Sequence, residues 1–384
     1  MSKRLLVVVG VAVLALAAPL LIDSFWLQQG LFAMAAAVAA LGLTLLLGQA
    51  GQLSLGHSFF LAVGAYGYTF LTATGDSRAG GLGWAPPLAA IAAVLLAGLA
   101  GLVFSPIAAR LRGIYLGIAT LGLVFLGQHV LSNAPRLTGG DNGRSVPVFS
   151  IGGLSFGTEP GAPSYVLNVL WGREQKLWYL FLAVTALGYL YFRGVARSRI
   201  GRALRAVRDR ELMAGIVGVP VTRYKAYAFL ISSMYAGLGG VLLALAFRRI
   251  VPETFGIALS IEYLAMVVIG GVGVAGGAIA GAAFVACLPS VLERYAGLLP
   301  GLATGPGEPG ISPAIAGKFI YGAAVIAVLL LEPSGLAGLA RRLRRRSPVE
   351  TPAPSPAPAP PVQAVAADVS ATTTDERTPS AKRK

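Results

Sequence analysis

The 384-residue sequence contains one cysteine, Cys287, and two histidines, His57 and His129. A single thiol excludes an internal disulfide framework and any multi-cysteine metal site. Two histidines leave little for a histidine-based metal centre, so no metal ligands are assigned. Charge is scarce as well: 12% of residues are Asp, Glu, Lys or Arg, where a soluble domain carries about 25%. There is no G-x-x-x-x-G-K-[ST] phosphate loop; the nearest glycine–lysine pair, Gly317–Lys318, runs into Phe319. What fills the chain is apolar: 55% hydrophobic residues, 50 glycines and a mean hydropathy of +0.72. An ordinary soluble globular protein is excluded.

Lys and Arg number 31 against 16 Asp and Glu, a formal charge of +15. Such a surplus can mark a nucleic-acid partner. Here the charges sit in short segments between apolar runs, so they read as a topology signal. The runs are 5–22, 30–47, 53–74, 87–108, 113–131, 177–193, 225–247, 257–288 and 314–331. At about 20 residues per span they predict an all-α polytopic membrane helix bundle of about 9–10 spans, within a transmembrane region 1–340. The first run resembles a signal peptide, with Lys3 and Arg4 ahead of it, but its 18 apolar residues favour a retained helix.

With the N-terminus in the cytoplasm, the inner segments hold 18 Lys and Arg and the outer loops eight, as the positive-inside rule requires. The count works only if 257–288 enters and returns, leaving Arg341–Arg346 inside. That run is interrupted by Gly270, Gly271, Gly273, Gly276, Gly277 and Gly281, which favours two half-helices or a re-entrant hairpin. Irregular backbone is tolerated at membrane depth only inside protein or along a cavity. A second glycine-rich element, Gly48–Gly67, reads GQAGQLSLGHSFFLAVGAYG. Interrupted apolar segments in both halves of a chain point to a transport pathway, although small residues also serve close helix packing. From these elements the pathway candidates are Ser54, Gly56, His57, Glu262, Gly270, Gly271 and Gly273. His57 is expected to hydrogen-bond across helices, and Lys318 to snorkel near the outer end of the last span.

The largest inner loop, 194–224, is amphipathic in its first part, with Ile200, Leu204 and Val207 on one helical face. Asp209 is expected to cap a second short helix of about 13 Å, stopped by Gly218 and Pro220. Leu212, Met213, Ile216 and Val217 on that helix need a partner, whether lipid interface, the bundle itself or a second protein. The longest outer loop, 132–176, offers Arg136, Asp141, Arg144, Glu159, Arg173 and Glu174 to an extracytoplasmic partner. From about residue 347 to 384 the Pro/Ala-rich sequence cannot bury a core and reads as a disordered cytoplasmic tail.

The segment AVRDRELMAGIVGVPVTRYKAYAFLISSMYAGLGGVLLA resembles the cytoplasmic coupling loop of ABC-importer permeases of the branched-chain amino acid class, LivM type. GQAGQLSLGHSFFLAVGAY and SIEYLAMVVIGGVGVAGGAIAGA resemble that family's two glycine-rich elements, and LTGGDNGR its loop before the outer excursion. The matches run in order from about residue 38 to 330. The resemblance implies a type II ABC importer fold in the bacterial inner membrane, with the C-terminus cytoplasmic. It implies a LivH-type second permease subunit, two cytoplasmic ATPase subunits and an extracytoplasmic solute-binding protein. ATP and Mg would be handled by the ATPases, with no cofactor on this chain. It places ATPase coupling on Arg208, Asp209, Glu211, Ala214 and Gly218. Leucine, isoleucine and valine are the implied cargo, with urea or short amides as the alternative. An ion-coupled secondary transporter fits the broken helices too, but Glu262 is the main acidic candidate for ion coupling. A serine hydrolase built on Ser54, His57 and Ser58 lacks an orienting carboxylate.

Overall fold

The computed structural model describes residues 3–74, 80–157, 165–166, 169–170, 172–295, 310–331 and 335–338. The chain divides into two units, 1–344 and 345–384; the tail at 347–384 and the basic run at 341–346 lie outside the described residues.

The helices are α1 Lys3–Leu21, α2 Ser24–Thr44, α3 His57–Thr72, α4 Pro86–Arg110, α5 Ile114–Asn133, the short α6 Pro135–Thr138, α7 Arg173–Arg197, α8 Arg199–Asp209, α9 Glu211–Ile216, α10 Val221–Phe247, α11 Ile257–Gly270, α12 Ala275–Arg294 and α13 Pro313–Leu331. Every apolar run of the sequence has its helix. Six helices among the described residues are long and apolar enough to cross a membrane: α2 with its extension to Gln49, α4, α5, α7, α10 and α12. The runs at 53–74 and 257–270 yield helices of 16 and 14 residues. At 1.5 Å per residue these reach about 24 and 21 Å, short of a hydrocarbon core of about 30 Å. The missing length of the first is spent on backbone that leaves the helix.

The bundle is organised around α2 and α10, of whose most apolar windows 78% and 83% are buried, against 28% and 17% for α5 and α7. A helix apolar on all sides belongs inside, and α10 is lined with small residues that admit its neighbours. A Cβ on Gly240 would lie 2.0 Å from the Leu61 carbonyl oxygen of α3, so only glycine allows these backbones to touch, as membrane helix packing favours. The outward faces of α4, α5 and α7 expose Leu95, Leu99, Ile118, Phe125, Leu187 and Leu190, which suits lipid. The first helix packs on α7, where Trp178 Nε1 donates to the Ala15 carbonyl at 2.9 Å and Tyr179 Oη to that of Leu16 at 3.0 Å.

The 257–288 run is a hairpin, as the charge count required. α11 stops at Gly270, the chain turns through Gly271 and Gly273 with φ of +109° and +84°, and α12 runs back against α11. A Cβ on Gly335 would lie 2.5 Å from the Gly271 Cα, so the chain beyond α13 meets the tip of this hairpin.

Candidate functional site

Two breaks in helical backbone lie against each other at one end of the bundle. The first begins where α2 widens into a π-helical turn, Leu45–Gln49, with Ala50 N–H bonding the Leu45 carbonyl at 3.3 Å. Single π turns are uncommon and concentrate at functional sites. Residues 50–56 are then irregular until α3 starts at His57. The second break is the Gly271–Val274 turn. Gly48 and Gly273 meet directly: a Cβ on Gly48 would lie 2.3 Å from the Gly273 Cα. Gln49 adds a side-chain bond, its Nε2 donating to the Gly273 carbonyl at 3.3 Å.

Most of the polar groups in the first break are satisfied from elsewhere, as burial demands. Leu55 N–H donates to Thr120 Oγ1 of α5 at 2.9 Å, and Gly56 N–H to Ser54 Oγ at 3.3 Å. His57 Nε2 donates to the Ala39 carbonyl of α2 at 2.9 Å and its ring meets Tyr263 edge-on at 5.4 Å. This is the cross-helix bond expected of it. Ser58 N–H donates to Ser260 Oγ at 3.0 Å, and Ser260 Oγ donates back to Ser58 Oγ at 2.8 Å. Ser54 Oγ and the imidazole thus bond backbone groups and Ser58 Oγ bonds Ser260 Oγ, so none of these bonds pairs either serine with His57. Beside this break, both amide atoms of Gln52 and the Thr44 hydroxyl are among the buried polar atoms with no hydrogen-bond partner within the described residues.

The pathway candidates fall in two places. Ser54, Gly56 and His57 line the first break; Gly270, Gly271 and Gly273 form the second. Gly270 packs on the returning arm, where its added Cβ would lie 2.1 Å from the Gly277 carbonyl oxygen. Glu262 stands apart, two turns back along α11. It is half-buried and lines a cavity of about 270 Å³ with Lys318, Phe32, Phe247, Tyr263 and Met266.

Beside the breaks sits the loop formed by α8 and α9. Leu204 and Val207 are buried and Ile200 is half-buried, as the amphipathic pattern predicted. The expected cap is not there. Asp209 ends α8, and its carboxylate is taken by the adjacent Arg208 at 2.7 Å; Arg210 occupies the N-cap position of α9 without a side-chain bond. The helix is also shorter than expected, six residues or about 9 Å. Gly218, at φ +89°, closes it: Val219 N–H reaches back to the Ala214 carbonyl at 2.9 Å, an αL termination that glycine favours. Glu211 opens α9 and pairs with Lys225 of α10 at 2.8 Å and Arg112 of the α4–α5 connection at 3.2 Å. Ala214 faces inward at 6% exposure, while Leu212, Met213, Ile216 and Val217 are exposed at 72, 54, 79 and 83%.

The sequence names Arg208 for coupling but does not show the bonds by which it and Arg205 join this loop to the breaks. Arg208 Nη1 donates to the Gly48 carbonyl at 2.6 Å and Arg205 Nη1 to Gln49 Oε1 at 2.8 Å. Arg205 and Gln49 lie 156 positions apart, and nothing in local pattern pairs them. The one available signal was Gln49 itself, an amide within an apolar run.

At the other end, the LTGGDNGR stretch is a backbone knot. Arg144–Ser145 pairs antiparallel with Arg249–Ile250, and Gly139, Gly140 and Gly143 all adopt positive φ. Two of the residues expected to face a partner face inward. Arg144 is 5% exposed, donates to the Leu137 and Gly80 carbonyls and stacks on Phe70; burial pulls its pKa down from the ordinary arginine value. Arg173 donates to the Leu245 carbonyl. Glu174 pairs with Arg248 at 2.8 Å, and Glu159 lies outside the described residues. Arg136, Arg144 and Arg249 line a cavity of about 680 Å³ here.

Comparison with known proteins agrees with this anatomy. Residues 27–329 match the family described as branched-chain amino acid transport system / permease component. The high-affinity branched-chain amino acid transport system permease protein LivM of Salmonella typhimurium is 32% identical over 282 residues, 71% of this chain and 64% of that protein. BraD of Pseudomonas aeruginosa, named likewise as a high-affinity branched-chain amino acid permease, is 27% identical over 308 residues, 79% of this chain and 91% of its own. The autoinducer 2 import system permease protein LsrC of Klebsiella pneumoniae is 29% identical over 173 residues, 44% of each chain. The chain thus spans 64% of the length of LivM, the relative it resembles at 32% identity. No solved structure matches it.

Proposed function

Given that the chain belongs to the branched-chain amino acid transport system permease family, we propose that it is one permease subunit of an ATP-driven importer of leucine, isoleucine and valine. It is a multi-pass membrane protein, and we place it in the bacterial inner membrane with its C-terminus in the cytoplasm. The observation that carries the proposal is the α8–α9 loop. A short helix with three exposed apolar side chains, and a fourth on its C-cap Val217, is braced from behind by the Glu211–Lys225 and Glu211–Arg112 pairs. The preceding helix, α8, bonds the first backbone break through Arg205 and Arg208.

The chain itself has no phosphate loop, so ATP and Mg belong to two cytoplasmic ATPase subunits that would grip α9. Arg208, Asp209, Glu211, Ala214 and Gly218 form and orient the gripped element: Ala214 anchors it, Gly218 ends it, Glu211 fixes it to α10. A LivH-type subunit would supply the other half of the pore, and a solute-binding protein would deliver cargo to the end carrying the LTGGDNGR knot. Ser54, Gly56, His57, Glu262, Gly270, Gly271 and Gly273 would shape the pathway, with the unpartnered Gln52 amide and Thr44 hydroxyl as groups that a hydrated conduit would satisfy. A carrier of this kind needs no covalent chemistry on its own chain.

Gly218→Ile tests the grip. A β-branched residue at φ +89° is strained and should unseat the end of α9. In proteoliposomes holding the complete complex, leucine uptake should fall at least tenfold while ATP hydrolysis continues. Unchanged uptake would remove α9 as the coupling element, and preferential uptake of labelled urea would replace the cargo.

A further inference from the structure

The bonds between α8 and the two breaks form a continuous path. Arg205 holds both the Ala196 carbonyl at 2.8 Å and Gln49 Oε1 at 2.8 Å. The other end of the same Gln49 amide holds the Gly273 carbonyl at 3.3 Å. Arg208 holds the Gly48 carbonyl at 2.6 Å, and its stem lies on Gly51, where an added Cβ would be 2.6 Å from Arg208 Cγ. Gly48 in turn touches Gly273. Two cations thus sit at the carbonyl end of α2, where the helix dipole favours positive charge. They are joined to the tip of the α11–α12 hairpin through one amide.

We propose that Gln49 is a positioning residue that mechanically ties α8 to both backbone breaks, so that displacement of the loop moves the π turn and the hairpin tip as one body. The physical case is geometric. Gln49 is 6% exposed, its oxygen accepts from Arg205, and its nitrogen donates to the Gly273 carbonyl. A π turn is a site where a helix changes register at small cost, since it already carries a surplus residue. A load applied there can shift the C-terminal end of α2 without unfolding it. The opposing Gly48–Gly273 backbone contact has no side chain to absorb the shift, so the hairpin tip follows. A coupling claim requires an element whose arrangement both ends bias, and the amide meets that requirement because it bonds α8 and the hairpin at once. The inference rests on the proposed motor-driven function for its purpose, but the linkage itself is testable without ATP.

The experiment is a distance measurement followed by a transport assay, on the full-length chain in its complex. Spin labels go on Ala206→Cys, an exposed site of α8, and Gly276→Cys, an exposed site with no neighbour within 4 Å, in a Cys287→Ala background. The expected result is a single narrow distance distribution. It should broaden at least twofold in Gln49→Ala and equally in Gln49→Glu, whose carboxylate retains Arg205 but has no N–H to donate to the Gly273 carbonyl. Arg205→Ala should broaden it as far as Gln49→Ala, and the double variant no further, the signature of two residues acting through one interaction. In the transport arm, Gln49→Ala should lower labelled-leucine uptake at least tenfold with ATP hydrolysis within twofold of the parent. An unchanged distribution in Gln49→Ala overturns the linkage. So does a Gln49→Glu distribution as narrow as the parent's, which would show that the bond to Gly273 carries nothing, and so does a proportional loss of uptake and hydrolysis in Gln49→Ala, the mark of simple misfolding. A parent complex that shows the narrow distribution but hydrolyses no ATP would count against the importer reading while leaving the linkage standing.

Discussion

The first break is held by side chains sent from other elements: Thr120 from α5, Arg205 and Arg208 from α8, Ser260 from α11. The second is held by side chains that are missing. Gly270 touches Gly277, Gly281 touches the Met266 carbonyl, and Gly271 and Gly273 turn the chain at positive φ. A polar bond at the first break can stretch or exchange, while a backbone-to-backbone contact at the second has no degree of freedom to give. The contrast implies a division of labour in which movement enters at the first break and the second transmits it without deforming.

The largest expected effect attacks the rigid side. A Cβ on Gly281 would lie 2.0 Å from the Met266 carbonyl oxygen, so Gly281→Leu must separate α11 from α12. The loss should be about 3 kcal/mol, the upper end of overpacking, seen as a sharp fall in the thermal midpoint and in monodisperse protein in detergent. Gly276→Ala, five residues away with nothing within 4 Å, is the internal control and should be neutral or slightly stabilising. Equal melting of the two variants would dissolve the contrast between the breaks.

Thr120→Val is the corresponding test of the side-chain-held break. It preserves shape and removes the oxygen that accepts from Leu55 N–H at 2.9 Å, orphaning a donor inside the protein. The cost should be about 1–2 kcal/mol. Thr120→Ser should restore most of it, because the hydroxyl and not the methyl carries the bond. Hydrogen exchange at Leu55 would report the lesion directly; protection equal to the parent would mean that Leu55 finds another acceptor.

How far the sequence could be read follows the same contrast. The second break was legible because its cause is compositional: six glycines in one apolar run, and a charge count that balanced only if the run doubled back. The extent of the helices around α2 and α10 was legible for the same reason. The first break was only half legible. Its glycines and polar residues flagged Gly48–Gly67, yet the partners of Gln49 and Ser58 stand 156 and 202 positions away in Arg205 and Ser260, and no local spacing encodes such pairs. Asp209 misled for a local reason: an Asp before a helix is a good cap, but the guanidinium of Arg208 competes for the same carboxylate and takes it. Arg144 and Arg173 misled because arginine in an outer loop usually meets water, whereas here folded loops offer them carbonyl groups.

The smallest effect belongs to the contact between the two broken elements away from the glycine pinch. Ser260 Oγ accepts from Ser58 N–H and donates to Ser58 Oγ, fixing the start of α3 to α11. Ser260→Ala removes both bonds. Side-chain bonds between membrane helices average about 0.6 kcal/mol, so the shift in thermal midpoint should be near the limit of measurement. The informative readout is therefore differential. Combined with Thr120→Val, Ser260→Ala should cost more than the two variants apart, since each leaves the other as a remaining tether of the first break. Combined with Gly281→Leu it should add nothing further, because that variant already parts α11 from its packing. Strict additivity in both combinations would mean that the first break has no shared scaffold and that its contacts act independently.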